Sequence, residues 1–458
     1  MKPDRIAACG LIATLFASTL GCTLAPAYQT PAAPVAANWP GAPEVAGSPN
    51  APWQDYYTEP RVQKLIALAL ANNRDLRVTA LNIEKARALY GIQSAALLPA
   101  ISAGADASGT GAGGAGGTTH QYSVGVGFAA YELDLFGKVR SLKTQALEQY
   151  LSTEQAHQTQ QISLVAETAT AYLTLAADQQ LLRLAQDTLL SQQASLNLVE
   201  QRRRNGVASG LDLYDAQTST EAARSDVAIY SSRVAVDINA LTLVVGTGIP
   251  LTLLPPADSL VGSARLADLA AGTPSSALQN RPDIQSAEHI LRGANANIGA
   301  ARAAFFPSIT LTAAAGTASP NLAGLFKGGS GAWNFAPSIT LPIFDGGLNQ
   351  SSLDASVADR DIALAQYEKT IQTAFQEIAD VLAQRSNLAH QEQAQQALTT
   401  AASKRYRTYE ARYKTGTDTS LNVLIAQRSL YTAQQTLITT QLSQQLNKIA
   451  LRKALGYL

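Results

Sequence analysis

The first residue in this 458-residue sequence whose type and position suit a covalent reaction is Cys22. It follows Gly21 at the end of an apolar run over residues 6–20, which lies behind a basic N-terminus. The run is long enough for a signal-peptide core and too short for a membrane-spanning helix. The pattern predicts a signal peptide over residues 1–21, cleavage after Gly21 and a lipid on the Cys22 thiol. An ordinary signal peptide with an incidental cysteine is the alternative.

The other titratable side chains do not form a catalytic or metal-binding set. The histidines are scattered, and none stands at ligand spacing with a cysteine or a second histidine; they are His120, His157, His289 and His390. His289 lies near Glu288 and Asp283, as in a hydrolase, but no Ser, Cys or Lys in a nucleophile context accompanies them. We therefore predict no enzymatic activity, no metal site and no cofactor apart from the lipid on Cys22.

The charge balance argues against a polyanionic partner. Lys plus Arg and Asp plus Glu both number 34, so the formal net charge is zero and nucleic-acid binding is not expected. Aromatic residues make up only 6% of the chain, which suits long helices with thin apolar seams better than a thick globular core. Both cysteines, Cys9 and Cys22, lie near the N-terminus, so no disulfide framework is predicted for the body of the chain.

Residues 22–52 are rich in Pro, Ala and Gly and predict an extended N-terminal tether. Thr23 follows the cysteine, whereas an aspartate there would be the usual signal for retention in the inner membrane. The segment therefore favours a lipid-anchored protein of the outer membrane.

The rest of the chain is a tandem repeat. Pro99 recurs as Pro307, an offset of 208 residues, and Gly206 recurs as Gly416, an offset of 210. Similar residues surround each pair, so chance is a poor explanation. The predicted organisation is a first copy over residues 53–246, a linker over residues 247–274 and a second copy over residues 275–458.

Each copy contains a pair of predicted strands, at about residues 100–136 and 308–344. Apolar and small polar residues alternate there, as in the series Tyr122, Val124, Val126 and Phe128. Such alternation is typical of barrel strands with lipid on one face and water on the other. A soluble sheet with one hydrated face shows the same pattern.

Long helices follow each strand pair. Residues 138–204 contain neither proline nor glycine, which predicts a helix on the order of 100 Å long. Leucines recur there every seven residues, a spacing typical of coiled-coil packing; they are Leu175, Leu182, Leu189 and Leu196. Gly206 and Gly416 predict the turns at which each long helix folds back on a second helix. The fold class is mainly α with a β-barrel portion.

Four strands do not close a barrel, and lipid does not tolerate an open sheet edge. If the strands lie in a membrane, several chains must contribute to one barrel. The coiled coils attached to it would form a hollow helical cylinder, a shape that suggests a conduit.

Five motifs in this order resemble the TolC superfamily of outer membrane factors, and most of all its OprM-like lipoprotein branch. They are Cys22, Pro-x-Tyr-x-x-Pro at 26–31, Asn-Asn-Arg-Asp-Leu at 72–76, Tyr-Glu-Leu-Asp-Leu-Phe-Gly at 131–137 and Leu-Pro-Ile-Phe-Asp-Gly-Gly at 341–347. The resemblance implies a homotrimer with a twelve-stranded barrel in the outer membrane, an α-helical periplasmic tunnel and an equatorial region containing the linker. It also implies two partners, a periplasmic adaptor and an inner-membrane transporter of the resistance-nodulation-division type, which export drugs or other toxic compounds.

The resemblance further implies that the helical hairpin tips close the tunnel. The candidate gate residues are Asp212, Asp215, Asp418 and Leu421. Ile425 stands where familiar members have an aspartate, which argues against a simple acidic ring at the second tip. The alternative is that the carboxylates only stabilise helix N-termini, with Ser209 as a cap.

An autonomous porin or adhesin is the main rival to a pump-dependent duct. The duplication and the two tightly turned hairpins favour a docking tunnel. The sequence does not identify the exported compound, because the transporter is expected to select the cargo. Met1 is the only methionine, so the chain offers few soft ligands for metals.

Overall fold

The computed structural model describes residues 23–37, 39, 52–111, 118–256 and 275–457. The signal peptide, Gly21, Cys22 and most of the predicted linker lie outside the described residues. The chain divides into two compact units of interleaved segments. Unit 1 comprises Met1–Ala32, Asn82–Glu154 and Ser286–Glu368, and unit 2 comprises Ala33–Leu81, Gln155–Gln285 and Lys369–Leu458.

The described part of the chain is mostly helical. The helices are α1 (Trp53–Tyr56), α2 (Pro60–Asn72), α3 (Arg74–Ala95), α4 (Lys138–Arg204), α5 (Gly210–Val245), α6 (Pro282–Ala303), α7 (Leu348–Lys414) and α8 (Ser420–Leu455). The strands are β1 (Ser102–Gly111), β2 (Thr118–Leu133), β3 (Ser308–Ser319) and β4 (Gly331–Thr340). Short 3-10 turns occupy Leu251–Leu253, Ser275–Asn280 and Leu322–Gly324.

Corresponding helices of the two copies have equal lengths, which confirms the tandem repeat. Helices α3 and α6 have 22 residues each, α4 and α7 have 67 each, and α5 and α8 have 36 each. At 1.5 Å per residue the two longest are about 100 Å long. Each is followed two residues later by a glycine, Gly206 or Gly416, whose φ angles of 73° and 79° are in the left-handed region that glycine adopts without strain.

The four strands form one antiparallel sheet in the order β1-β2-β3-β4, so the two copies meet where β2 pairs with β3. A bulge interrupts that pairing between Phe128 and Tyr131. The inner strands approach very closely, since a Cβ on Gly316 would lie 2.1 Å from the carbonyl oxygen of Val124. Both edge strands, β1 and β4, are exposed along their whole length.

The main apolar core of unit 2 joins α2, α4 and α5 around fully buried side chains, among them Leu65, Tyr172, Leu175 and Leu241. The heptad leucines of α4 are only partly covered, because Leu175 is buried whereas Leu182, Leu189 and Leu196 are half-buried. Among the described residues, α5 alone has the length and apolarity to cross a membrane. Because α5 begins at a capped hairpin turn and packs on α2, we assign it to the coiled coil.

The two copies end their last helices in the same way with different side chains. In the first copy, Asn73 Nδ2 donates to the carbonyl of Val244 at 2.8 Å, next to Gly246, which caps α5. In the second copy, the buried Arg281 donates to the carbonyl of Ala454, next to the cap of α8. The repeat therefore preserves the position of the contact and changes the donor.

Candidate functional site

In unit 2, the turn between α4 and α5 and the turn between α7 and α8 are the two hairpin tips. A hydrogen bond between the two repeats of the chain joins these tips. Ser209 caps α5, because its Oγ accepts from the backbone N–H of Asp212 at 3.1 Å while Asp212 Oδ2 accepts from the N–H of Ser209 at 3.0 Å. Asp212 Oδ1 also accepts from the hydroxyl of Ser420, at the start of α8, at 2.8 Å. The bonds from Ser209, followed by that from Ser420, lower the pKa of the Asp212 carboxyl, so it is ionised at neutral pH.

The carboxylate of the second tip is also held locally. Asp418 accepts from Asn422 Nδ2 at 2.7 Å and from the backbone N–H of Thr419 at 2.9 Å, and it forms an ion pair with Arg412 at 3.2 Å. The amide of Asn422, followed by the N–H of Thr419, lowers the pKa of Asp418. Behind the tips, the Arg202 guanidinium lies over the Tyr413 ring at 4.6 Å, so the ends of α4 and α7 are in contact.

The structure thus brings Asp212 and Asp418 into the helix-start contacts that the sequence left open as an alternative. Asp215 is half-exposed one turn later, and Leu421 keeps 54% of its surface exposed. Leu211, the repeat counterpart of Leu421, is exposed as well. A single chain therefore presents apolar side chains at both tips, while two of its carboxylates are engaged. Whether these residues line a closed pore stays a prediction.

A carboxyl pair that sequence reasoning missed joins α4 and α5. Asp237 Oδ2 is buried, and no hydrogen-bond donor among the described residues reaches it. Burial, followed by the adjacent Asp178, raises the pKa of Asp237 to about 6, against an opposing effect of Arg233. One proton shared between the two carboxyls would satisfy the buried oxygen. The available signal was a single acidic residue within a mostly apolar stretch, residues 234–245.

The N-terminal segment of unit 1 is bound along α6. Glu288 accepts from the Tyr28 hydroxyl at 3.1 Å and from Arg292 at 2.7 Å, and the Arg292 guanidinium stacks over the Tyr28 ring at 5.2 Å. Asn295 donates to the carbonyl of Pro26 at 2.8 Å. Burial, followed by the charge of Glu288, raises the pKa of Tyr28 to about 12. The tyrosine is therefore a neutral hydroxyl donor at physiological pH.

Glycine at position 299 permits the closest approach of this segment. A Cβ on Gly299 would lie 2.6 Å from Ser141 Oγ and 2.8 Å from the backbone N of Ala25. One turn further along α6, Arg302 donates to the carbonyl of Leu24 at 3.1 Å. The segment that immediately follows Cys22 is therefore held at the C-terminal end of α6, which leads into β3.

The residues of the hydrolase alternative serve structural contacts. His289 Nδ1 lies 2.6 Å from Glu148 Oε2. Glu288 binds Tyr28 and Arg292, as described above, and Asp283 forms an ion pair with Arg281 at 2.7 Å. Within the described ranges, no group of three His, Cys, Asp or Glu side chains is arranged to hold a metal ion.

Comparison with known proteins gives one consistent result. The model of the outer membrane efflux protein family matches the chain twice, over residues 65–247 and 273–457. A relative named "Probable efflux pump outer membrane protein TtgC", from Pseudomonas putida, is 50% identical over 455 residues, which cover 95% of this chain and 92% of the relative. The outer membrane protein OprJ of Pseudomonas aeruginosa is 42% identical, with coverage of 99% and 96%.

Solved structures agree with these relatives. The open-state MtrE outer membrane channel of Neisseria gonorrhoeae has a TM-score of 0.87 and 38% identity, and the match covers 95% of this chain and 98% of that one. A membrane protein from Pseudomonas aeruginosa has a TM-score of 0.89 and 41% identity, with coverage of 95% and 100%. The helical hairpins and the four-stranded sheet are therefore those of an outer membrane channel.

We predict that the Asp178–Asp237 pair makes stability depend on pH. Because the folded-state pKa of Asp237 is about 6 and its ordinary value is 3.8, the native state binds more protons than the unfolded chain between these values. Stability should therefore fall as pH rises through this window. The Asp237→Asn variant should melt at a higher temperature than wild type at pH 7.5, with a much smaller difference at pH 4.5, as followed by circular dichroism in detergent. Asp187→Asn, at an exposed position of α4, serves as the control. Equal melting temperatures of Asp237→Asn and wild type at pH 7.5 would contradict the pairing.

Proposed function

Since the chain belongs to the outer membrane efflux protein family, a family of channel proteins, we propose that three copies of it form one passive exit duct without enzymatic activity. The chain is the outer membrane component of an efflux pump. Compounds delivered to the duct would pass through the helical tunnel and the barrel to the exterior.

The exposed edges of the sheet carry this proposal. One chain supplies four strands, and β1 and β4 each leave one edge unpaired within the single chain. In hydrocarbon an unpaired backbone N–H or C=O costs several kcal/mol, so the edges must be paired by further copies. Three copies would give a barrel of twelve strands. The incompletely covered leucines of α4 and the exposed apolar stretch of α5 fit the same arrangement, because neighbouring copies would bury them.

The chain needs partners that supply energy and select cargo. Its relatives include proteins named as outer membrane components of a toluene efflux pump and of an antibiotic efflux pump, both in Pseudomonas putida. We propose a periplasmic adaptor and an inner-membrane transporter of the resistance-nodulation-division type as partners, with apolar toxic compounds such as solvents and drugs as cargo. The hairpin tips are the surface for the adaptor, since Leu211 is exposed there.

Complementation tests this function. In a host that lacks its own outer membrane channel but retains a cognate transporter and adaptor, expression of the chain should restore resistance to toluene and to pump-exported antibiotics. It should have no effect when the transporter is also deleted. An autonomous porin would instead change sensitivity in both hosts, and that outcome would contradict the pump-dependent duct.

We further propose that the tips close the resting tunnel, chiefly through Leu421. The carboxylates of Asp212 and Asp418 hold the helix starts, so they would contribute charge near the opening while staying fixed in position. Asp215 is the carboxylate with the greater freedom to face the axis.

The Leu421→Ser variant should therefore leak. Removal of an apolar side chain from a dewetted constriction favours its hydration, so resting conductance in planar bilayers should rise, together with the sensitivity of cells to vancomycin. Leu398→Ser, at an exposed apolar position of α7 away from the tips, is the control and should conduct like wild type. Unchanged conductance of Leu421→Ser would exclude this residue from the closure.

The lipid anchor is a separate proposal. Processing before Cys22 would leave an acylated N-terminus two residues from Leu24, which is bonded to Arg302. Two residues of extended chain span about 7 Å, so the acyl chains would enter the membrane beside the start of β3. Binding of the segment along α6 thus supports a lipid that is held at the rim of the barrel.

The Cys22→Ala variant should be exported and folded but should lack the acyl chains. Its strands still anchor it, so part of the efflux activity should survive. Mass spectrometry of the purified wild-type protein is the measurement, and it should show a mature N-terminus at an acylated Cys22. An unmodified Cys22, or a mature N-terminus elsewhere, would contradict the anchor.

A further inference from the structure

An aromatic contact joins the two copies at the helix-proximal end of the sheet. Phe136 lies in the turn from β2 to α4, and Phe306 lies in the turn from α6 to β3. Their rings stack with centroids 4.7 Å apart and an interplanar angle of 22°. The contact follows from the topology, because β2 pairs with β3 and the two turns therefore lie at the same end of neighbouring strands.

The repeat supplies a second pair of turns, which make no such ring contact with each other among the residues that the structure describes. The counterpart of Phe136 is Phe344, in the turn from β4 to α7, and the counterpart of Phe306 is Leu98, in the turn from α3 to β1, each at an offset of 208 residues. Phe344 is 90% exposed and Leu98 is 71% exposed. Their neighbours Ile343 and Ile101 are also strongly exposed. An apolar patch therefore lies at each edge of the sheet.

The turns that carry Phe344 and Leu98 adjoin β4 and β1 in the same way as the turns that carry Phe136 and Phe306 adjoin β2 and β3. Strands β1 and β4 have 10 residues each, so they match in length and suit pairing with each other. Pairing within one chain is excluded by the two strands that lie between them. When β4 of one chain pairs with β1 of the neighbouring chain, as β2 pairs with β3 within a chain, Phe344 comes to lie beside Leu98 of that neighbouring chain.

Lipid is a poor occupant of this patch. Asp345, directly after Phe344, accepts from the backbone N–H groups of Gly347 at 2.9 Å and Asn349 at 3.0 Å and so caps α7. These bonds, that from Asn349 first, lower the pKa of the Asp345 carboxyl, so the turn carries a charge. A fixed charge beside the ring places the turn in the aqueous margin and outside the hydrocarbon. A protein surface is the occupant that covers the apolar side chains there.

We propose that Phe344 and Ile343 of each chain dock on Leu98 and Ile101 of the neighbouring chain and form an apolar joint between chains. This inference rests on the proposed multi-copy barrel and specifies the side chains that lock it. The ring of copies would then contain alternating joints of one design, Phe136 on Phe306 within a chain and Phe344 on Leu98 between chains.

Cysteine cross-linking in isolated membranes tests the joint. The sequence has two cysteines, Cys9 and Cys22, so a background that combines Cys9→Ala with Cys22→Ala is free of native thiols. With Leu98→Cys and Phe344→Cys combined, a short bis-maleimide should produce a covalent trimer on a denaturing gel. Phe136→Cys combined with Phe306→Cys should link within one chain and leave the monomer band. Leu98→Cys combined with Phe326→Cys is the matched control, because Phe326 is exposed beyond the other end of β4, about 33 Å away along the strand.

The outcomes separate the joint from the barrel. A trimer by light scattering in detergent, without the Leu98–Phe344 cross-link, would overturn the joint and leave the proposed duct intact. A monomer by light scattering would overturn the duct and the joint together. Cross-linking of the Phe326 pair to the same extent would also overturn the joint, because the links would then reflect random collisions.

A charge substitution gives an independent readout. Phe344→Asp should reduce the fraction of trimer that survives in mild denaturing detergent at least tenfold, whereas Phe344→Leu should retain it. Phe326→Asp, the matched exposed phenylalanine, should behave like wild type. Equal trimer fractions for Phe344→Asp and Phe326→Asp would contradict the joint.

Discussion

Satisfaction of backbone hydrogen bonds in lipid is the constraint on which the rest of this structure depends. A sheet of four antiparallel strands has two open edges, and hydrocarbon offers no water to bond the exposed N–H and C=O groups. The chain therefore presents two edge strands of equal length, and apolar turns lie where these strands join the helices. The long helices also require neighbouring chains. Their leucine seams are only partly buried until those chains pack against them.

The tandem repeat helps to satisfy the backbone hydrogen bonds of the sheet edges, because one type of contact is used both between the repeats of a chain and between chains. Equivalent positions are kept while the residues change. Asn73 and Arg281 donate to equivalent carbonyls at the ends of α5 and α8. At the tips, Asp212 of the first copy occupies the position of Asn422 in the second, and both take part in bonds that hold the start of a helix. The absence of an acidic residue at Ile425 is thus one of several differences between copies that share a geometry.

Local features were predictable from the sequence, whereas contacts between distant segments were not. The span of α4, the glycine turns and the presence of the strands each depend on neighbouring residues, and the structure confirms them. The Asp178–Asp237 pair and the bond from Tyr28 to Glu288 depend on how separate segments pack, which no local pattern encodes. The carboxylates of the tips are an intermediate case. The same spacing suits a helix cap or a pore ring, and only the bonds to Ser209, Ser420 and Asn422 show the capping role.

Closure of the sheet between copies is the central claim, and amide hydrogen exchange of the detergent-solubilised protein tests it most directly. Because pairing protects backbone N–H groups from solvent, the account predicts that the amides of β1 and β4 exchange as slowly as those of β2 and β3. The comparison is internal, since all four strands belong to one sheet and experience the same detergent. Rapid exchange along the outward-facing amides of β1 and β4, with slow exchange in β2 and β3, would show open edges and contradict the shared barrel.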